Sequence, residues 1–128
     1  MGIIYTNIKI KNPFSSAPQK EIEAEAKLDS GATLLVIPKN LVDEFNFQKI
    51  REQTVKYANE DTAVRDIVGP VEVELCGRIG YFEAIVEPAK KYTLIGAVVM
   101  ESLDLIIEPR SLSIYPNPRS KLPMAEIE

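Results

Sequence analysis

A strict alternation of apolar and charged residues is the feature of this chain that most restricts its fold. Every second side chain is apolar in the run Glu21-Ile22-Glu23-Ala24-Glu25-Ala26-Lys27-Leu28, and a period of two predicts a half-buried β-strand. The alternation recurs in Val71-Glu72-Val73-Glu74-Leu75 and again between Tyr81 and Val86, after the turn residues Cys76-Gly77. Two such runs around a turn are typical of a β-hairpin. The chain is therefore expected to be built from sheet.

Further short strands are predicted along the chain at roughly ten-residue spacing. They are Ile3–Ile10, Thr33–Ile37, Thr54–Ala58, Thr62–Val68, Leu105–Glu108 and Ser111–Tyr115. Prolines, among them Pro70, fall between strands, where a ladder of hydrogen bonds cannot continue. Two short helices are expected, one from near Pro38 to Phe45 and one over Ala97–Leu103. Many short strands with few helices favour an all-β barrel or sandwich.

Length and residue usage narrow the possible functions. With 128 residues, 45% of them hydrophobic, the chain is expected to form a single domain, with its core at residues 20–115 and an irregular, proline-containing tail at 116–128. Histidine is absent and Cys76 is the only cysteine. These counts exclude a Ser-His-Asp triad, a Cys-His dyad, an internal disulfide and an imidazole or thiolate metal site. We therefore expect no metal and no cofactor, and a reducing, cytoplasmic location.

Charge and hydropathy exclude two classes of partner. The net charge of −4 speaks against nucleic acid, which requires a basic face. No apolar run reaches the ~20 residues that span a bilayer, and no signal peptide is recognised at the start of the chain, so no membrane partner is expected. If the chain is an enzyme, carboxylates must carry its chemistry.

One carboxylate stands out by its position. The segment Asp29-Ser30-Gly31-Ala32 joins the alternating strand to a nearly all-apolar run, Thr33-Leu34-Leu35-Val36-Ile37. A carboxylate between two buried strands is costly unless something uses or satisfies it. Gly31 permits a tight turn, and the Ser30 hydroxyl can anchor the loop by a hydrogen bond. An ordinary Asp-Ser-Gly turn is the alternative, because so short a string also arises by chance.

The Asp-Ser-Gly-Ala motif is one of several short segments that follow one another in a defined order along the chain. They are Ala26-Lys27-Leu28, Asp29-Ser30-Gly31-Ala32, Leu34–Ile37, a hairpin at Val55–Val64, the apolar-apolar-Gly segment Leu94-Ile95-Gly96 and the short helix Ala97–Leu103. In this order and spacing the chain resembles the retroviral-type (retropepsin-like) aspartic proteases over residues 20–115. The resemblance implies an all-β fold, a closed β-barrel of the acid-protease type with one or two short helices and one lobe per chain.

The resemblance also implies roles for individual residues. Asp29 would be catalytic, with Ser30 and Gly31 supporting its loop. The hairpin would be the flap that covers the substrate. Peptide binding would fall to Gly31, Ala32, Tyr57, Ala58, Asn59 and Glu60. For Tyr57, an ordinary strand tyrosine is the alternative.

The chain departs from the family's pattern at two places. Its flap tip, Ala58-Asn59-Glu60-Asp61, is acidic and lacks glycine, so flap opening is expected to be stiffer, although Asn59 tolerates a left-handed turn. Ala97 and the neutral Thr33 or Leu34 stand where viral members carry an arginine and its acidic partner. An ion pair that supports the viral dimer is therefore missing.

A single Asp-Ser-Gly implies a homodimer. Attack of water on a peptide bond without metal or histidine needs one carboxylate as base and one carboxylic acid. The chain is too short to carry a second copy of the lobe, so the second carboxylate is expected from another copy of the chain across a two-fold axis. The predicted function is that of a homodimeric aspartic endopeptidase acting on extended peptide or protein substrates.

Two other functions stay open. The same fold could serve as a non-catalytic dimeric β module that binds extended peptides, with Asp29 as a turn residue. A carboxylate-pair enzyme such as a glycosidase would need two carboxylates at a fixed separation. The acidic runs of the chain lie in the polar phase of the alternation, and no tryptophan is present to stack a sugar, so the glycosidase is the weaker alternative.

Overall fold

Strands dominate the computed structural model, which describes residues 4–15, 22–28, 32–108, 110–120 and 127. Within these residues there are nine strands and two short helices. In chain order they are β1 (Ile4–Lys11), β2 (Ile22–Leu28), β3 (Leu35–Pro38), α1 (Lys39–Phe45), β4 (Lys49–Lys56), β5 (Thr62–Leu75), β6 (Arg78–Glu87), β7 (Thr93–Ile95), α2 (Ala97–Ser102), β8 (Leu105–Glu108) and β9 (Ser113–Pro116). This content confirms the prediction of a mostly β fold with two short helices.

Seven strands form one sheet, in the order β1-β2-β7-β3-β6-β5-β4. A further pairing of β1 with β5, from Lys9↔Glu74 to Lys11↔Glu72, returns the sheet to its first strand. The pairings therefore link six strands in a ring, and β4 extends from the ring as the hairpin partner of β5. Strands β8 and β9 form a separate antiparallel pair.

Strand β7 lies between β2 and β3, although β2 and β3 follow one another in the chain. It runs parallel to β2, with Leu28 opposite Ile95, and antiparallel to β3, with Val36 opposite Leu94. The last residue of β2 and the first residues of β3 thus flank the point at which β7 ends and α2 begins.

The alternating pattern places apolar side chains inside the ring. Val71, Val73 and Leu75 of β5 are almost wholly buried, and burying such a side chain stabilises the fold by about 1.5–3 kcal/mol. Glu72 and Glu74 between them pair on the outer surface with lysines of β1. The core follows directly from the period-two pattern.

Both helices contribute to the same core. Helix α1 buries Val42 and Phe45, three residues apart on one face, and the Phe45 ring stacks on Phe47 with 5.6 Å between ring centres. Helix α2 buries Val99 and Met100. The predicted positions of both helices are confirmed.

Some strand boundaries differ from the prediction. Pro70 does not separate two strands, because β5 runs through it, and the β5–β6 register shifts between Val68 and Val71. Proline fits at such an irregularity, where its missing N–H takes no ladder hydrogen bond away. Strand β4 begins at Lys49 rather than Thr54, and the apolar segment before Gly96 forms strand β7.

A buried arginine holds the first part of the tail. Arg78 is 7% exposed, and its guanidinium donates to the carbonyl oxygens of Leu103 and Asp104 at 2.9 Å each. It also donates to the carbonyl oxygens of Asn117 at 3.2 Å and Ser120 at 2.5 Å. The described tail residues 117–120 therefore form a turn that packs on the body of the protein.

Candidate functional site

The two ends of the segment that contains the candidate aspartate are well defined. Leu28 ends β2 opposite Ile95, and the chain is described again from Ala32. Asp29, Ser30 and Gly31, the predicted catalytic and loop-supporting residues, lie outside the described residues. The structure therefore defines the positions of Leu28 and Ala32, the residues on either side of Asp29-Ser30-Gly31.

Ala32 and Thr33 are fixed by the start of α2. The Ala97 N–H donates to the carbonyl oxygen of Ala32 at 2.9 Å, and the Val98 N–H donates to that of Thr33 at 3.0 Å. Gly96 makes this approach possible, because an added Cβ would lie 2.7 Å from the Ala32 carbonyl oxygen and 2.5 Å from that of Leu34. The apolar-apolar-Gly segment thus ends in glycine because two backbone segments are in direct contact there.

The β4–β5 hairpin carries the other predicted binding residues at its tip. The Tyr57 N–H donates to the Asp61 carbonyl oxygen, and the Glu60 N–H donates to the Tyr57 carbonyl oxygen, both at 2.9 Å. The Asn59 side chain accepts a hydrogen bond from the Asp61 N–H and donates one to the Asp61 carboxylate. The residue with a left-handed backbone is Glu60, with φ 70°, and not Asn59, whose side chain instead braces the turn.

One face of this hairpin is directed inward. Gln53 pairs with Arg65, and Val55 pairs with Ala63, so these side chains share a face, which Tyr57 continues by the two-residue period. Val55, Tyr57, Ala63 and Arg65 are half-buried, whereas Thr54, Lys56, Thr62 and Val64 are exposed. Tyr57 therefore lies on the same half-buried face as Val55 and Ala63, and its predicted contact with substrate stays a prediction.

The Tyr57 hydroxyl meets a buried carboxylate. It donates to Glu87 Oε2 at 2.5 Å, and Glu87, the last residue of β6, is 4% exposed. Arg65 Nε lies 3.5 Å from Glu87 Oε1, and the Arg65 guanidinium carbon lies 5.9 Å from the centre of the Tyr57 ring. We call Tyr57, Arg65 and Glu87 the hairpin cluster.

The cluster favours an ionised Glu87 and a neutral Tyr57. Burial alone raises the pKa of Glu87, but the hydrogen bonds from Tyr57 and from the Ala89 N–H, together with the Arg65 charge, outweigh it and leave this pKa below its ordinary value. Burial, and then the hydrogen bond to Glu87, raise the pKa of the Tyr57 phenol. The phenol therefore acts as a donor to a carboxylate at neutral pH.

The structure groups the predicted binding residues in two places. Tyr57, Ala58, Asn59 and Glu60 share the hairpin tip, and Ala32 lies against the start of α2. Asp61, whose Asp-Thr-Ala string superficially resembles the candidate motif, is exposed at the tip.

Two residues with a clear structural role were not anticipated from the sequence. Glu87 continues the apolar run Ile85-Val86 of β6, and Arg78 opens the same strand. For Arg78 the signal was its position in phase with the buried residues Phe82 and Ala84 of β6. Glu87 lies in the opposite phase, with the exposed Glu83, so the alternation did not identify it.

The described residues give no sign of a metal centre or a bilayer-spanning helix. They contain no group of three or more cysteine, aspartate or glutamate side chains placed to hold a metal ion. Among the same residues, neither helix has the length and apolar character needed to cross a membrane.

Comparison with solved structures shows that the fold is similar to that of retroviral proteases. The solution structure of simian foamy virus (mac) protease matches with a TM-score of 0.51 and 17% identity, over 74% of this chain and 91% of that one. EIAV protease complexed with the inhibitor HBY-793 matches with a TM-score of 0.57 and 14% identity, over 78% and 86% of the two chains.

A third match is part of a longer protein. The foamy viral protease-reverse transcriptase in complex with an RNA/DNA hybrid matches with a TM-score of 0.58 and 18% identity, over 77% of this chain but 11% of that one. No family model and no curated protein matches the sequence. At these identities the likeness is one of fold.

Proposed function

We propose that this chain is an aspartic endopeptidase that acts as a homodimer, with one Asp29 from each subunit in a shared site. The observation that carries the proposal is the similarity of the fold to retroviral proteases, with Asp29-Ser30-Gly31 located in the sequence between Leu28 and Ala32. Both flanking positions are held, Leu28 by its pairing with β7 and Ala32 by its bond to α2.

The proposed chemistry needs two carboxylates in different protonation states. Two charges about 4 Å apart repel by roughly 4 kcal/mol at an effective dielectric constant of about 20, which corresponds to about three pKa units. One carboxyl group then keeps its proton while the other is ionised, as in known aspartic-protease dyads. The carboxylate activates a water molecule, and the acid protonates the carbonyl oxygen of the scissile bond.

The substrate in this proposal is an extended peptide. It lies beneath the β4–β5 hairpin as an added strand, in contact with the backbone near Gly31 and Ala32 and with residues 57–60. The half-buried inner face of the hairpin supports this arrangement. Val55 and Ala63 on that face offer apolar surface for the side chains of the peptide.

The proposed assembly is a pair of one-lobed, single-domain barrels. We take the ring of six strands as the closed barrel of the acid-protease type, with the domain spanning residues 1–128. The β8–β9 pair is a candidate dimer surface, because a two-stranded sheet is only marginally stable alone. One side of it packs on the core through Leu105, Ile107 and Ile114. Strand β1 is a weaker candidate, since it already pairs with both β2 and β5.

A non-catalytic dimeric module that binds extended peptides is the second candidate function. The observation that favours it is the hairpin tip, where a non-glycine residue, Glu60, holds the left-handed position and the Tyr57 hydroxyl is taken by Glu87. A hairpin held in this way could retain a bound peptide whether or not the peptide is cleaved.

The experiment that separates these functions is the Asp29→Asn substitution, assayed on a library of extended peptides. If the chain is an aspartic protease, the wild type cleaves peptides and the cleavage rate of Asp29→Asn is at least roughly 100-fold lower, because general acid–base catalysis is removed. Asp61→Asn is the matched control, since it neutralises an exposed aspartate at the tip and should not lower activity. Cleavage that survives Asp29→Asn would rule out the aspartic mechanism, and peptide binding without wild-type cleavage would favour the module.

A further inference from the structure

The outer half of the β4–β5 hairpin has only two strands. The β5–β6 pairing ends at Ile67↔Ile85, whereas the β4–β5 pairing continues to Lys56↔Thr62. A two-stranded ribbon is marginally stable on its own. Contacts between its side chains and the body of the protein must therefore determine where this half of the hairpin lies.

The hairpin cluster supplies such a contact. Arg65 precedes Ile67 by two residues and Glu87 follows Ile85 by two, so they lie opposite one another just beyond the last β5–β6 pair and on the same face. Tyr57 reaches the same carboxylate from β4, at 2.5 Å. One buried residue of the body thus contacts both strands of the hairpin.

Burial makes this contact strong and dependent on the hairpin. A carboxylate that is 4% exposed is costly unless it is paired and hydrogen-bonded. Its Oε2 accepts from Tyr57, while its Oε1 faces Arg65 and the Ala89 N–H. When the hairpin lifts, the contacts with Tyr57 and Arg65 are lost together, so the closed position is favoured.

We propose that Glu87 is a positioning residue that holds the hairpin against the body through Tyr57 and Arg65, and that an extended peptide must loosen this contact to enter beneath the hairpin. The second part of the proposal rests on the proposed function. Glu87 is bound to the hairpin rather than to reacting atoms, so it acts on peptide binding and not on the chemical step.

Amide hydrogen exchange tests the contact without any assumption about activity. Tyr57→Phe and Glu87→Gln should each make the amides of residues 54–57 and 60–64 exchange roughly tenfold faster or more, as expected for the loss of a hydrogen bond to a charged group. The double variant should exchange no faster than the faster single variant, since both remove one contact. Exchange in the β5–β6 ladder at Val71–Leu75 should stay unchanged, which shows that the fold is intact.

Asp66→Asn is the matched control for the exchange experiment. Asp66 follows Arg65 in β5, its side chain is 50% exposed, and it pairs with Lys49 at 3.3 Å, so the change neutralises an acid on the outer face of the same hairpin. It should leave exchange at wild-type rates. If Glu87→Gln exchanges at the wild-type rate, or if Asp66→Asn speeds exchange equally, the proposed contact is wrong.

Peptide kinetics test the second part of the proposal. Glu87→Gln should lower KM roughly tenfold and change kcat by less than about twofold, because the peptide then no longer has to break this contact when it binds. A rise in KM, or a fall in kcat at constant KM, would contradict the positioning role. A wild-type protein that cleaves no peptide refutes the proposed function, and with it the role of Glu87 in peptide entry. Unchanged exchange in a cleaving enzyme refutes the Glu87 contact alone.

Discussion

Gly96 and Ala32 are in backbone contact: a Cβ atom on Gly96 would lie 2.7 Å from the carbonyl oxygen of Ala32. The backbone of Gly96 is extended, with φ −90°, so the close approach, and not the dihedral angle, requires glycine here. This contact joins Ala32, the last residue of the candidate motif, to the start of α2.

Gly96→Ala should therefore disturb the candidate site through the backbone. Because the clashing atoms are main-chain atoms, the strands must shift, and we expect a loss of about 1–3 kcal/mol in the free energy of unfolding. Chemical denaturation measures this loss. Gly77→Asn is the control, because an added Cβ there meets nothing within 4 Å and asparagine tolerates its φ of 77°. Equal stability of Gly96→Ala and wild type would contradict the contact.

Replacing Arg78 should weaken both the core and the tail. Arg78→Met fills similar space but leaves four carbonyl oxygens, those of Leu103, Asp104, Asn117 and Ser120, without this donor. We expect a loss of about 3–5 kcal/mol, as for breaking a buried charged network, measured by urea unfolding. Arg51→Met breaks an ion pair whose two side chains are each 43% exposed and should cost less than about 1 kcal/mol. Similar losses of unfolding free energy in Arg78→Met and Arg51→Met would contradict the proposed contribution of Arg78 to the core and the tail.

Asp104 should make stability depend on pH in the acid range. Hydrogen bonds from Ser120 and Asn117, and then the Arg78 charge, hold its pKa below the ordinary value of 3.8. Its contribution is therefore present above that value and is lost as the pH falls through the lower, folded-state pKa.

Asp104→Asn isolates this contribution, because asparagine also tolerates the φ of 53° at this position. The variant should be less stable than wild type at pH 7, and the difference should shrink as the pH falls below 3.8. Urea midpoints at several pH values measure it, with the exposed Glu101→Gln as control. If the stability difference between wild type and Asp104→Asn grew on acidification, the pKa of Asp104 would be raised and not lowered in the folded protein.

Changes at Glu60 should separate backbone strain from charge at the hairpin tip. Glu60→Asn relieves the left-handed position, at φ 70°, and should stabilise the protein by up to about 1 kcal/mol, measured by thermal unfolding. Glu60→Gln removes the charge alone and should leave stability nearly unchanged.

Charge at the tip should also affect the pH profile of peptide cleavage. In the proposed dimer, Glu60 and Asp61 of the two subunits face each other and repel at neutral pH, so the wild type should cleave better in mild acid. Glu60→Gln and Glu60→Asn should both raise the activity at neutral pH relative to that at pH 5. A wild-type profile that rises steadily above neutrality would contradict the repulsion.

The sequence predicted most of the fold because the core follows its patterning. The alternation in β2 and β5, and Pro38 before α1, are local signals that carry over into the structure. Pro70 within β5 and the three-residue strand β7 were missed, because each is stabilised by pairing with residues distant in the chain.

The candidate site was predictable to a smaller extent. The position of Gly96 and the hairpin with Tyr57 followed from the order of motifs. The hairpin cluster did not, because Glu87 and Arg65 are ordinary charged residues until β5 and β6 pair and place them together. Likewise, Glu60 and not Asn59 has the left-handed backbone at the tip, because the hydrogen bonds of the turn determine its conformation. The intrinsic preference of asparagine for that conformation did not predict the position.

Mixing wild-type protein with Asp29→Asn tests the shared site most directly. After subunits have exchanged at constant total concentration, an equal mixture contains about one quarter wild-type homodimers. If hydrolysis needs both carboxylates, peptide cleavage falls to about a quarter of the wild-type rate and follows the square of the wild-type fraction. Cleavage that falls only to about half, in proportion to the wild-type fraction, would show that each chain carries a complete site and would contradict the proposal.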